Sequence, residues 1–207
     1  MLGRLASRRY RDPVPDDDRW LVVGLGNPEA EYGGTRHNVG ADAVRELARR
    51  EHAPLSRNKR VRCEIAEATT AGVRLVLAVP ISYMNRSGDP VQAAAAWYKV
   101  APERVIVCHD DLDIPVGGLR LKRGGSHAGH RGLKDVDRAL GTSDYLRVRI
   151  GVGRPPGRMP ARDFVLKRFR PEEREEVDVT LAETGDAIVQ LITEGLEPTQ
   201  NQYHRRG

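Results

Sequence analysis

Cysteine is nearly missing from this chain of 207 residues. Cys63 and Cys108 are its only two, without the C-x-x-C spacing of a zinc site or a thiol-exchange motif, so a disulfide scaffold and a cysteine metal centre are both excluded. Cys108 ends an apolar run and is expected as a buried free thiol, in keeping with a reducing cytoplasm. Long apolar runs are missing too. None approaches the roughly 20 residues needed to cross a bilayer, so a soluble chain with no membrane partner is expected. Internal repeats and domain-splitting linkers are also lacking, which leaves one domain.

What is present is 39% apolar and 30% charged residues, the balance of a globular protein. The net charge is +5 and the sequence pI about 9.5, with arginine and lysine in short groups such as Arg120-Leu121-Lys122-Arg123. Such a field favours polyanions and permits an RNA partner, although a solvated basic surface explains the groups equally well. Residues 1–19 stand apart. Met1 to Arg11 holds four arginines and no acid, and Asp16, Asp17 and Asp18 follow Pro13 and Pro15. No apolar segment follows Ser7-Arg8-Arg9, as a twin-arginine signal requires, so this stretch is expected to be a disordered extension preceding a domain over 20–207.

Periodicity predicts alternating strands and helices. Trp20 to Leu25 reads as a buried strand closed by Gly and Pro, and Val39, Ala43, Val44 and Leu47 carry helical spacing over 39–50. Strands are expected over 61–68, 73–79, 105–108, 119–121 and 145–152, with helices from a Ser87 cap through Tyr98 and over 133–140. After Ala161 strands cease, and Pro171 with Glu172 and Glu173 opens a long amphipathic helix. The expected fold is α/β, a single domain with a twisted mixed sheet and helices on both faces.

Four loops at predicted strand ends concentrate Asn, His, Asp and Gly, the place where open α/β sheets bind ligands. Gly24-Leu-Gly26-Asn27-Pro28 begins like a dinucleotide fingerprint, but Glu29 stands where the third glycine belongs, and no helix is expected to start there. Asn27 can donate and accept hydrogen bonds, whereas His37 alone reads more readily as a capping or packing residue than as a catalyst. Asn85 in the Tyr83-Met84-Asn85 loop has a turn-forming reading beside a ligand-binding one. His109-Asp110-Asp111, with His127 and His130 further on, supplies either metal ligands at no common spacing or, more simply, an acid that orients a histidine. Gly124 to Gly132 is a glycine-rich loop able to approach a phosphate, or else a flexible turn with helix-capping histidines.

Taken in order, Gly24-x-Gly26-Asn27-Pro28, Tyr32-x-x-Thr35-Arg36-His37-Asn38, Tyr83-Met84-Asn85-x-Ser87-Gly88, His109-Asp110-Asp111, Gly129-His130-x-Gly132 and Arg149-Ile150-Gly151 resemble the bacterial peptidyl-tRNA hydrolase family. The resemblance runs from about Leu21 to Tyr203. It implies a monomeric, cytoplasmic enzyme without metal or cofactor, cutting the ester between peptide and tRNA on prematurely released peptidyl-tRNA. It implies His37 as catalytic base, Asp110 as the acid orienting it, and Asn27 and Asn85 as the amides holding peptide and water. Tyr32 and Tyr83 match substrate-contacting residues, and Lys122 and Arg149 match a pair receiving the tRNA 5′-phosphate. Two positions depart: Glu29 replaces a glycine, and Arg131 replaces an asparagine that contacts substrate. An arginine cannot accept a hydrogen bond, so only substrate contact is carried to Arg131. It also keeps open a second reading, an RNA-binding relative of the same fold without hydrolysis.

Overall fold

The computed structural model describes residues 19–204. The expected extension lies outside the described residues except for its last, Arg19, which opens the first strand. The elements run β1 (Arg19–Gly24), α1 (Glu29–Tyr32), α2 (Val39–Arg50), β2 (Ser56–Asn58), β3 (Cys63–Thr70), β4 (Val73–Pro80), α3 (Gly88–Trp97), β5 (Val105–Asp111), β6 (Leu119–Arg123), α4 (Arg131–Leu140), β7 (Leu146–Gly151), α5 (Ala161–Val165), α6 (Pro171–Thr193) and α7 (Leu196–Tyr203).

The strands form one seven-stranded sheet in the order β2-β3-β4-β1-β5-β7-β6. The central strands β4, β1, β5 and β7 run parallel, and the antiparallel β2–β3, β3–β4 and β6–β7 pairs complete the edges. Both faces are covered, which explains why the central strands read as continuous apolar runs. Side chains alternate between the two cores: Val22, Ile106 and Cys108 pack with α2 and α6, while Leu21, Val23, Val105 and Val107 pack with α3 and α4. Burying each such side chain contributes roughly 1.5–3 kcal/mol, so this alternation fixes the strand register. The outer strand β6 is shielded by α7. Gln200 Nε2 donates to the Leu121 carbonyl at 2.9 Å, and the Leu121 N–H donates to His204 Nε2 at 2.9 Å, so the exposed ladder edge is already bonded.

Several local expectations change. A one-turn helix does begin at Glu29, because Pro28 presets the backbone and Glu29 and Glu31 suit a helix start, but it stops after four residues. Ser87 does not cap α3. Its hydroxyl donates to the Met84 carbonyl at 2.9 Å, and Asp135 accepts the Gly88 N–H at 2.8 Å instead. The strand expected from Val61 starts at Cys63, after a left-handed residue at Arg62.

α2 crosses β1 and β5 at very short range. A methyl group on Gly40 would run into the Cys108 carbonyl, and one on Gly24 would meet the Gly40 carbonyl. Glycine at both points lets helix backbone touch sheet backbone. The turn before α2 is thereby held at the end of β5.

Candidate active site

That turn, the 3-10 segment Arg36–Asn38, carries His37, and β5 carries Asp110 two residues beyond Cys108. His37 Nδ1 lies 2.8 Å from Asp110 Oδ1. The carboxylate only accepts, so Nδ1 holds the proton and Nε2 keeps the lone pair left for a ligand. A second imidazole reaches the same oxygen: His130 Nε2 lies 3.0 Å from Asp110 Oδ1. His130 Nδ1 accepts the Leu133 N–H at 3.2 Å, capping α4, which fixes its proton on Nε2. Asp110 is thus the shared acceptor of two histidines.

Charge follows geometry. Burial pulls the His37 pKa down, but the Asp110 charge and hydrogen bond together outweigh it and the net shift is upward. Burial likewise pushes the Asp110 carboxyl up, yet the charges of and bonds from His37 and His130 hold it well below the usual carboxylate range. Behind them His109 is buried, its Nδ1 donating to the Asp110 carbonyl at 2.8 Å, and burial followed by the neighbouring His130 keeps it neutral.

Neighbouring residues fix the histidine-bearing turn. Arg36 is buried between the rings of Phe164 and Phe169, 4.4 and 4.9 Å from the guanidinium, and bonds Glu173 at 2.6 Å. Asn38 is fully buried. It accepts the Asn27 N–H at 2.8 Å and donates to the Asn27 carbonyl at 3.0 Å, pinning the loop after β1. Asn27 in turn accepts the Met84 N–H through Oδ1 at 2.9 Å. That bond orients the amide and engages one lone pair of its oxygen, leaving the Nδ2 donor for a ligand.

All nine sequence candidates line one cleft of about 500 Å³: Asn27, Tyr32, His37, Tyr83, Asn85, Asp110, Lys122, Arg131 and Arg149. Tyr32 and Tyr83 meet edge to face at its rim, with centroids 6.4 Å apart. Arg149 Nε bonds Asp111 at 2.8 Å, and Lys122 Nζ reaches the Ser126 carbonyl at 3.5 Å. Arg131, at the first position of α4, is exposed. The Glu29 carboxylate is turned to Arg45 at 2.7 Å and adds no unpaired charge to the cleft.

His37, Asp110 and His130 also lie close enough to hold a cation. A metal would need the Nε2 lone pair of His130, and that moves the proton to Nδ1, against the Leu133 N–H. The donor set suits hydrogen bonding better.

The family model described as peptidyl-tRNA hydrolase matches residues 21–207. The chain belongs to the peptidyl-tRNA hydrolase family. Among its relatives, the peptidyl-tRNA hydrolase of Frankia alni is 55% identical over 192 residues, covering 92% of this chain and 97% of the relative. That of Mycobacterium bovis is 50% identical over 184 residues, covering 89% and 96%. The crystal structure of the Acinetobacter baumannii peptidyl-tRNA hydrolase is similar at a TM-score of 0.84 and 33% identity, covering 90% of this chain and 95% of that one.

Three residues around the site escape a reading of single loops. By sequence His130 reads only as a metal ligand or cap, Asn38 only as part of a motif, and Arg147 only as one of the short basic group Arg147-Val148-Arg149. Arg147 is fully buried, stacks on Tyr145 and bonds Asp137 at 3.2 Å and the Ser126 carbonyl at 2.9 Å, holding the glycine-rich loop. The signal for His130 was its fixed place in Gly129-His130-x-Gly132. Arg147, alternating with Arg149 on β7, offers only its membership of a basic group, which does not distinguish a buried arginine from a solvated one.

Proposed function

We propose that this chain is the esterase its family name describes, hydrolysing the ester between a peptide or N-blocked aminoacyl group and tRNA, with His37 as general base. The observation that carries this reading is the pairing of His37 Nδ1 with Asp110 at 2.8 Å, which leaves Nε2 basic beside a large cleft. His37 Nε2 takes a proton from water as the water oxygen attacks the ester carbonyl. The resulting imidazolium is stabilised by Asp110 and returns the proton to the departing ribose oxygen, so peptide acid and free tRNA leave. Asn27 Nδ2 donates to the substrate, and Asn85, Tyr32 and Tyr83 form the wall against which peptide and terminal nucleotide rest. Lys122 and Arg149 receive the tRNA 5′-phosphate. Arg131 contacts a substrate phosphate, because a cation at the positive end of α4 gains from an anion there. The enzyme acts in the cytoplasm as a monomer, without metal or cofactor. Among the described residues no helix is long and apolar enough to cross a membrane.

A binding relative without hydrolysis has no need of a buried carboxylate shared by two oriented imidazoles, and family membership favours the enzyme. The deciding experiment incubates the protein with N-acetyl-aminoacyl-tRNA and with free aminoacyl-tRNA. Release from the first alone is expected. Release from neither, by folded protein, overturns the activity; equal release from both overturns the preference for a blocked amino group.

A further inference from the structure

Away from the cleft, the chain keeps an indole in water. Trp97, the last residue of α3, is 50% exposed, and the Arg60 guanidinium lies 4.7 Å from its ring centroid. Core helices do not ordinarily leave so large a ring half-open. The segment between β2 and β3 supplies Arg60 together with Lys59 and Arg62, and Lys99 follows the helix. All four cations are exposed, and none forms an ion pair among the described residues. Of the acids nearby, Asp89 is already bonded to Arg138 at 2.7 Å, and Glu67 lies beside Tyr98. This segment runs beside α3, since the Cys63 thiol contacts the Pro90 carbonyl at 3.8 Å near one end of the helix and Arg60 stacks at the other.

We propose that the Arg60–Trp97 platform, with Lys59, Arg62 and Lys99, is a second RNA-contacting surface that takes an unpaired strand, stacking a base on Trp97 and pairing its phosphates with the cations. The chemistry favours this occupant over a duplex or a protein. Stacking on an aromatic ring accepts any exposed base, and free cations beside it match a phosphodiester backbone. A duplex hides its bases, and an acidic peptide matches the cations but carries no base between its charges to stack on the indole. The surface is separate from the proposed phosphate-receiving pair: Lys122 and Arg149 sit on β6 and β7 at one edge of the sheet, whereas Lys59, Arg60 and Arg62 follow β2 at the other. Trp97 also stands nine residues beyond the start of α3, about 14 Å along the helix from the end that adjoins the Asn85 turn.

The chain has two tryptophans, and Trp20 is partly buried in β1, so Trp97 reports on its own surface. A 12-nucleotide oligouridylate without 5′-phosphate or 3′-ester is titrated into the protein while tryptophan emission is followed. Saturable quenching that weakens with salt is expected. Affinity should fall roughly tenfold in Arg60→Glu and in Trp97→Ala, as for loss of one stacked base, with the binding of Trp97→Ala read by anisotropy of a labelled oligomer. Lys122→Ala should bind it as the parent does. Hydrolysis of an N-acetyl-aminoacyl minihelix reports that the surface variants are folded, whichever way binding turns out. The proposal is overturned if the oligomer does not bind, if Arg60→Glu and Trp97→Ala bind it unchanged, or if Lys122→Ala abolishes binding. Equal binding of a duplex or of polyglutamate also overturns it.

Discussion

The two ends of the cleft are built on opposite principles. At one end Asp110 Oδ1 accepts from His37 and His130 at 2.8 and 3.0 Å, with only 4% of the Asp110 side chain and 15% of that of His37 in contact with water. At the other, Lys122 and Arg149 are half-buried and Arg131 is exposed, with bonds to one carbonyl and one carboxylate. The first end is already bonded in place, so in the proposed reaction its groups would act on the ester without reorganising. The second offers charge that salt screens over about 10 Å, so in the proposed reaction it would set encounter and affinity. Rate and binding should therefore respond separately to substitution.

The largest expected effect is at the preorganised end. His37→Ala should lower kcat by roughly 10²–10⁴ with KM little changed, measured as single-turnover release from N-acetyl-aminoacyl-tRNA. A fall seen mainly in KM would break the comparison. Asp110→Asn should lower kcat at least a hundredfold or so, since the carboxylate orients His37 and stabilises its cation. It should also shift the pH profile. Asp110 raises the affinity of His37 for a proton and only the neutral imidazole is a base, so activity is lost on acidification through the raised pKa. Without the carboxylate that limb moves to lower pH, and an unmoved limb would assign it to another group.

At the basic end the effect is smaller and of another kind. Lys122→Ala should raise KM about tenfold with kcat within about twofold, and reduce the slope of log affinity against log salt by about one. An unchanged slope would show that Lys122 meets no phosphate.

The smallest expected effect tests whether burial of charge alone explains the first end. Asp42 on α2 is pushed up to about 6, first by burial and then by Glu29, against the pull of Arg45 and Arg174. The folded state holds this proton more tightly than the unfolded chain, so stability falls as pH rises from about 4 to about 6. Asp42→Asn should recover on the order of 1–3 kcal/mol at pH 7 and little at pH 4, read from urea midpoints, with kcat unchanged. A loss of stability at pH 7 would mean the Asp42–Arg45 contact outweighs desolvation.

The sequence pattern suffices for the α/β class, the central strands and the long α6, because their apolar periodicity records one buried face or two at each strand and helix. It also placed His37, Asn27 and Asn85 in turns at strand ends, and their order with Asp110 carried the family resemblance; Asp110, expected in a loop after a strand ending at Cys108, lies instead within β5, which runs on to Asp111. It missed α1, β2, α5 and α7, each of eight residues or fewer, too short for a period to repeat. What each polar group does with its hydrogen bonds depends on the packing of distant elements. His37 and Asp110 are 73 positions apart, and they meet because Gly40 lets α2 sit against the Cys108 carbonyl. The same packing gives Asp110 a second histidine and orients the Asn27 amide through the Met84 N–H, both fixed by neighbours distant in the chain. Local pattern records how much of a residue is buried; which partner it is buried against depends on how the elements pack.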